Sequence, residues 1–297
     1  MLRVFLFLMT NIAIILVASI TLNLLGVGSY MTAQGLDFGA LLAFCFVFGM
    51  AGSFVSLLLS KFMAKRAMGV QIIESPQNSH EQWLYQTVSE LAKKANIGMP
   101  EVGVFNSPSP NAFATGWNKN KALVAVSTGL LRQMKQDEVK AVLGHEIGHI
   151  ANGDMVTLAL IQGVVNAFVM FFARIIGNFV DKAILKNQGG PGLGFYVATF
   201  AAEMVLGILA STIVFWFSRR REFKADQAGA ELVNPQAMVG ALQALQKQYE
   251  QPSDMPDELV AFGISGELKH SLAGLFMTHP PLEKRIQALQ NQYQLKG

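Results

Sequence analysis

At 297 residues the chain has room for about two domains; 52% of its residues are apolar, 14% are charged and its mean hydropathy is positive. That balance excludes an ordinary soluble globule and puts part of the chain in lipid. The formal net charge is only +3 and no basic run interleaves with aromatics, so there is no footprint for nucleic acid; the expected partners are protein and the lipid bilayer.

Residues 4–25, VFLFLMTNIAIILVASITLNLL, carry no charge and can cross a hydrocarbon core of roughly 30 Å as a helix. The run is longer than the core of a signal peptide and a second span follows closely, so it is expected to stay as an anchor. The second span, residues 38–60, is also uncharged and contains the one cysteine, Cys45, read as a small apolar side chain rather than a reactive thiol. A single cysteine permits no disulfide framework or cysteine zinc cluster within one chain and suits a reducing cytosol. Arg3 precedes the first span, Lys61, Lys65 and Arg66 follow the second, and the only charge between the spans is Asp37. The positive-inside rule then puts both flanks in the cytoplasm.

Residues 67–154 are much more polar and form the first part of a soluble domain. In it, SPSPNAFATGW and KALVAVSTGLL read as two strands joined by a polar turn at Asn118–Lys121. MKQDEVKAVLGHEIGHIANGD reads as a helix with Asp137 and Glu138 in its first turn, complementing the macrodipole, and Gly153 as its stop. Two more apolar runs follow, 155–176 and 193–217, joined by a stretch containing NQGGPGLG. Whether they cross the bilayer or fold back as a hairpin, the chain returns to the side it left, so residues before 155 and after 217 share a compartment. The basic run SRRREFKAD fits the cytoplasmic side, whereas Lys182 and Lys186 fit an outside loop less well. Glu203, at membrane depth, is expected to be buried against other helices, and Arg174 to snorkel to the headgroups. Helical patterns then run from Ala225 to the C-terminus, interrupted by EQPSDMPDE. The expected organisation is an N-terminal transmembrane hairpin over 1–66, a soluble domain in two parts over 67–154 and 218–297, and a second hydrophobic hairpin over 155–217.

The chemistry is concentrated in AVLGHEIGHIANGD, residues 141–154. Residues four apart share a helical face, so His145 and His149 can reach one metal ion, and Glu146, one residue round, can hold water beside it without being a ligand. This is the HExxH arrangement of zinc metalloproteases. Zinc lowers the pKa of the water it binds from about 15.7 to near 7, and Glu146 takes the remaining proton and later hands it to the leaving amine. Gly144 and Gly148 lower helix propensity by roughly 1 kcal/mol each, which close approach of a ligand or a neighbouring helix would explain. The competing reading is a chance pair of histidines; against it, three of the five histidines, His145, His149 and His279, lie in motif-like settings. Catalytic zinc takes a third protein ligand and keeps one position open. Among Asp154, Asp181, Glu203, Glu222, Asp226, Glu231, His270 and His279, the better candidates are Glu222 and Asp226, four apart in REFKADQAGAELV. One can ligate the metal and the other orient a ligand histidine through its second ring nitrogen.

HEIGH, then REFKAD, then HPPLEKRI, with four hydrophobic segments in this order, resemble the membrane-bound zinc metalloprotease family HtpX, related to the CAAX prenyl endopeptidases. The resemblance runs over essentially the whole chain, and three motifs together are far more specific than HEIGH alone. It implies a mainly α integral membrane protein, in which transmembrane helices accompany an α+β zincin-type metalloprotease domain with a small β-sheet. It also implies one Zn2+ per chain bound by His145, His149 and Glu222, with Glu146 as catalytic base and Asp226 in support. The implied activity is endopeptidase cleavage of unfolded or misassembled membrane proteins, a quality-control and stress-response task. The implied location is the bacterial inner membrane, multi-pass, with the catalytic domain and both termini facing the cytoplasm.

Two further segments gain meaning beside it. Asn111, Ala112 and Phe113 look similar to the edge strand that holds extended substrate by main-chain pairing in HExxH proteases; the alternative is an ordinary hairpin. His279 can donate to the oxyanion of a tetrahedral intermediate or cap the following helix. His80 and His270 are expected on solvated or core faces. A protease cutting within spans would need HEIGH in an apolar helix, which Lys135, Asp137, Glu138 and Lys140 argue against. The remaining rival is a nonproteolytic membrane chaperone or scaffold with a structural, four-ligand zinc. A general protease facing the cytosol is expected to restrict access to its metal, with the loop before Asn111 taking part.

Overall fold

The computed structural model describes residues 2–25, 31–32, 35–249 and 279–295, and the chain divides into two compact units. One comprises Met1–Leu59 with Val156–Val214, the other Ser60–Met155 with Phe215–Gly297.

The first unit is helical because its segments are long, apolar and nearly free of proline. It contains α1 (Leu2–Leu24), a short antiparallel pair of β1 (Met31–Thr32) and β2 (Gly35–Leu36), and most of α2 (Phe38–Met68). It also holds most of α6 (Asp154–Phe179), which runs on as a π-helical turn over Val180–Ile184, and the first part of α7 (Leu193–Leu232). Among the described residues, α2, α6 with its π turn, and α7 are each long and apolar enough to cross a membrane. Phe46, Phe54, Phe168, Phe172, Phe200 and Ile208 stand exposed along them, the surface expected of helices solvated by lipid. Gly49 lets α2 meet α6: an added Cβ would lie 2.7 Å from Gly163 O and from Ala167 N, the small-residue contact that packs helices in membranes.

Arg174 does not snorkel. Its Nη1 donates to Glu203 Oε1 at 3.0 Å, and its guanidinium lies 5.5 Å from the Phe44 ring centroid. Each charge thus meets the need of the other, because an unpaired ion is costly at that depth. In the turn before α7, Asp181 is buried and accepts from Asn187 Nδ2 at 2.8 Å and Gly192 N at 3.1 Å, while Lys182 donates to Gly189 O. That lysine serves the turn itself.

The second unit is an α+β domain. Its sheet runs in the order β3 (Gln71–Ile72), β4 (Glu101–Phe105), β6 (Leu123–Ser127), β5 (Ala112–Thr115). β4 and β6 are parallel, and the other two pairings are antiparallel. All five residues of β6, LVAVS, are buried, as befits an interior strand, and β5 lies at an edge. Around the sheet lie α3 (Ser79–Lys94), α4 (Thr128–Gln133), α5 (Gln136–Ala151), the end of α7, α8 (Pro235–Tyr249) and α9 (Leu282–Tyr293). Asn78 caps α3 by accepting from Glu81 N at 2.9 Å. Leu84, Leu91, Val124, Leu143, Ile147 and Leu242 belong to one continuous core. The end of α2 is tied to the sheet by Lys61, 2.8 Å from Glu101, and by Lys65, which pairs with the same carboxylate.

Candidate metal centre

Helix α5 carries both histidines of the motif. Glu138 in its first turn accepts from Lys135 N at 2.9 Å, and the helix ends before Gly153, whose φ of +68° lets the chain turn directly into α6 at Asp154. The two glycines of the motif meet the end of α7. A Cβ on Gly148 would lie 2.6 Å from Ala228 Cβ, and one on Gly144 would lie 3.2 Å from Gly229 Cα. The lowered helix propensity therefore permits a contact between α5 and α7 that larger residues forbid. The apolar part of α7 ends at Phe217, and the next two turns bring Glu222 and Asp226 to the histidines.

His145, His149 and Glu222 are buried, and one ligand atom from each lies within 4.8 Å of the others. His145 Nδ1 is 2.9 Å from Asp226 Oδ1, and His149 Nδ1 is 2.6 Å from Asp154 Oδ2. A carboxylate only accepts, so each Nδ1 carries a proton, and in the neutral imidazoles both Nε2 lone pairs are free for a metal. Those two Nε2 atoms face one another at 3.1 Å, and Glu222 approaches them at 3.7 and 3.4 Å. Neither Glu222 oxygen accepts a hydrogen bond of normal alignment among the described residues. Two neutral imidazoles whose Nε2 lone pairs converge beside a buried carboxylate are unfavourable unless a proton or a metal cation sits among them. The donor set of two imidazoles and a carboxylate fits a divalent metal.

The electrostatics agree. Burial pushes His149 down, but the carboxylates of Asp154 and Glu222 outweigh it and raise it to about 9. Burial raises Glu222, yet His149, His279, His145 and Arg285 around it hold its carboxyl well below the usual range. Asp226 is likewise held low against burial by Arg285 and His145. The two carboxylates are thus held ionised, and their negative charge favours a cation, a proton on His149 or a metal ion, at the centre of the group.

Arg285 of α9, buried at 7% exposure, closes the far side. It donates from Nε to Asp226 Oδ2 at 2.7 Å and from Nη2 to Asp226 Oδ1 at 2.5 Å, with Nη1 3.3 Å from Glu222 Oε2. The bidentate pair fixes the carboxylate that holds His145. Motif reasoning does not reach Arg285, and it weighs Asp154 only as a third metal ligand. Asp154 is discounted as a metal ligand in the sequence because it follows the helix too soon to turn back, yet the positive φ at Gly153 starts a new helix there and returns it to His149. Arg285 lies inside HPPLEKRI, where a buried arginine is legible only once an acidic partner is known.

Glu146 is partly buried and lines a cavity of about 670 Å³ together with His145, Glu222, His279, Asn111 and Ala112. The deeper wall is apolar, from Leu130, Val142, Met238 and Leu242. Phe113 does not reach this cavity; its ring packs on Phe105, with centroids 5.6 Å apart, because successive strand residues face opposite sides. His279 is 63% exposed, with Nδ1 2.9 Å from Glu222 Oε2. It does not cap α9, whose N-cap is Pro281 without a side-chain bond. Asp181 and Glu203 belong to the first unit, Glu231 accepts from Gln227, His80 is exposed, and His270 lies outside the described residues.

Residues 78–293 match Peptidase family M48. Protease HtpX of Pseudomonas paraeruginosa is 65% identical over 289 residues, covering 97% of this chain and 98% of the relative. Protease HtpX of Pseudomonas putida is 64% identical over 291 residues, covering 97% and 99%. In fold, the crystal structure of S. mikatae Ste24p aligns with a TM-score of 0.62 at 19% identity, over 84% of this chain and 58% of that one. The family match over most of the chain, and relatives alike along almost their entire length, lead to one conclusion: the chain belongs to peptidase family M48 and is a membrane metalloprotease.

Proposed function

We propose that the chain is a zinc-dependent endopeptidase that cleaves unfolded or misassembled membrane proteins on the cytoplasmic side of the bacterial inner membrane, in protein quality control. The observation that carries this reading is the convergence of His145 and His149 Nε2, 3.1 Å apart, each imidazole held by a carboxylate at its other nitrogen, with the buried carboxylate of Glu222 3.7 and 3.4 Å away. His145, His149 and Glu222 would hold one Zn2+, and bound zinc would supply Lewis acidity toward water and the scissile carbonyl.

The remaining work falls to the chain. Glu146, on the cavity wall one residue from the first ligand, takes the proton of the attacking water and passes it to the leaving amine. Asp226, clamped by Arg285, and Asp154 keep the two imidazoles in the tautomer that points Nε2 inward. His279, exposed at the cavity mouth, donates to the developing oxyanion. Substrate lies along β5. Asn111 pairs with Ser127, so by the alternation of an antiparallel ladder Ala112 and Ala114 turn their N–H and C=O groups to the open edge. Backbone pairing there ignores side chains and suits a broad range of unfolded sequences. Phe113 anchors the strand to the sheet. Arg3, Lys61, Lys65, Arg66 and the basic run at 219–224 support the cytoplasmic placement of the catalytic unit.

The test is cleavage of an unfolded protein by the detergent-purified, zinc-loaded chain beside Glu146→Gln of matched metal content. Cleavage by the native chain alone is expected; equal cleavage by both would remove Glu146 from the chemistry.

A further inference from the structure

Ser127 is both the last residue of β6 and the N-cap of α4. Its side chain is fully buried, and its hydroxyl makes three hydrogen bonds. It accepts from Leu130 N at 2.9 Å, accepts from Asn111 N at 2.9 Å and donates to Ser109 O at 2.9 Å. Two lone pairs and one proton are all a hydroxyl has. In a regular antiparallel pair Asn111 N–H would go to the Ser127 carbonyl, since Ser127 N already donates to Asn111 O at 2.8 Å. That carbonyl, as part of an N-cap, is committed to the first turn of α4. The hydroxyl takes its place and completes the second hydrogen bond of the last pair in the ladder.

The residue so held opens the substrate edge. Asn111 and Pro110 line the cavity that contains Glu146. The loop before them is fastened to the same helix end: Thr128 Oγ1 donates to Ser107 O at 3.0 Å, Gly129 N to Ser107 O at 2.8 Å, and Gln133 Nε2 to Pro108 O at 2.7 Å. Gly129 is required there, because a Cβ would lie 2.2 Å from Pro108 O. These bonds fasten the loop to the start of α4.

We propose that Ser127 is a positioning residue for substrate: its hydroxyl sets where the open edge of β5 begins relative to Glu146, and hence where an extended peptide is held. This rests on reading β5 as the substrate-binding edge. Ser127 touches no substrate itself.

The test uses the full-length, metal-loaded protein in detergent and two peptides sharing one cleaved bond. One, of about four residues, reaches little beyond that bond; the other, of about ten, runs the length of β5. In Ser127→Ala, KM for the longer peptide is expected to rise about tenfold while kcat stays within about twofold and KM for the shorter peptide hardly moves. A purely structural loss would lower the active fraction, reducing kcat for both peptides with both KM values unchanged, and that result overturns the proposal. Ser127→Cys, a weaker hydrogen-bonding group of similar size, should fall between native and Ala. If only the Cys variant folds, a native KM for the longer peptide overturns the proposal. Ala112→Pro checks the edge-strand reading by itself, since it removes an outward N–H at an edge position, where proline is tolerated. Normal binding of the longer peptide by Ala112→Pro sinks that reading. A raised KM in Ala112→Pro with a native KM in Ser127→Ala sinks only the positioning claim.

Discussion

Two helix crossings in this protein use the same device to different ends. In the first unit Gly49 of α2 admits the backbone of α6 at Gly163 and Ala167; in the second, Gly144 and Gly148 of α5 admit α7 at Ala228 and Gly229. Both contacts exchange side-chain volume for backbone proximity. Around Gly49 the residues that meet at the crossing are Gly163, Ala167, Met50 and Ser53, none of them ionisable, so the approach serves packing. Around Gly144 and Gly148 the neighbours are His145, His149, Glu222 and Asp226, and proximity builds the candidate metal centre. Close packing is common to both; the chemistry comes from the polar residues one turn away.

The largest effect should come from breaking the second crossing. Gly148→Val drives a branched side chain into Ala228, and we expect a loss of bound metal and of cleavage by at least about a hundredfold, against about 1–3 kcal/mol of overpacking strain. Gly49→Val should destabilise the membrane unit while metal content per folded molecule stays native. Metal analysis beside thermal unfolding in detergent checks both, and equal metal loss would erase the distinction between the crossings.

The ion pairs sharpen the same contrast. Asp226→Asn leaves Arg285 buried with Glu222 as its remaining close counter-charge and weakens the hold on His145, so we expect metal affinity to fall about 10–100-fold and stability by up to about 3 kcal/mol. Glu203→Gln, at the pair with Arg174, should lower the melting temperature and leave metal affinity alone. Competition with a chelator measures the affinities. Asp154→Asn is expected to cost about tenfold in metal affinity with a smaller stability loss, because the residue holds one histidine and no arginine; native affinity would mean that His149 is oriented without it.

The smallest effect lies at Glu101. Burial raises this carboxyl, but Lys61 and Lys65 outweigh it and lower it from 4.5. A folded value below the unfolded one means stabilisation that is present above about pH 4.5 and lost as pH falls through the folded value. The side chain is 40% exposed, so solvent screening limits the effect to about 1 kcal/mol or less. Melting temperatures of native protein and Glu101→Gln should differ slightly near neutrality and converge in acid; a gap that persists at low pH would assign the effect to packing.

Much of this arrangement was legible in one dimension. Apolar runs of spanning length became α2, α6 and α7 because only helices satisfy the backbone in lipid. The four-residue spacings of His145 with His149 and of Glu222 with Asp226 became shared helical faces. The β5–β6 hairpin followed its polar turn. Less legible were β3 and β4, two and five residues long, whose pairing depends on partners distant in sequence. Arg174 illustrates the opposite limit: a charge near the end of a span fits snorkelling in sequence, and only the neighbouring helix shows that Glu203 receives it.

By itself the sequence determined the residues that can bind a cation and the helical faces they share, because local periodicity dictates which side chains lie together. The tertiary structure alone decided that Asp226 meets His145 while Asp154 holds His149 and Arg285 clamps Asp226, that Phe113 faces away from the cavity while Asn111 borders it, and that one buried serine hydroxyl links a strand, a helix and the cavity wall. Those outcomes depend on how closely separate elements approach, set here by glycines and alanines whose importance is the volume they lack.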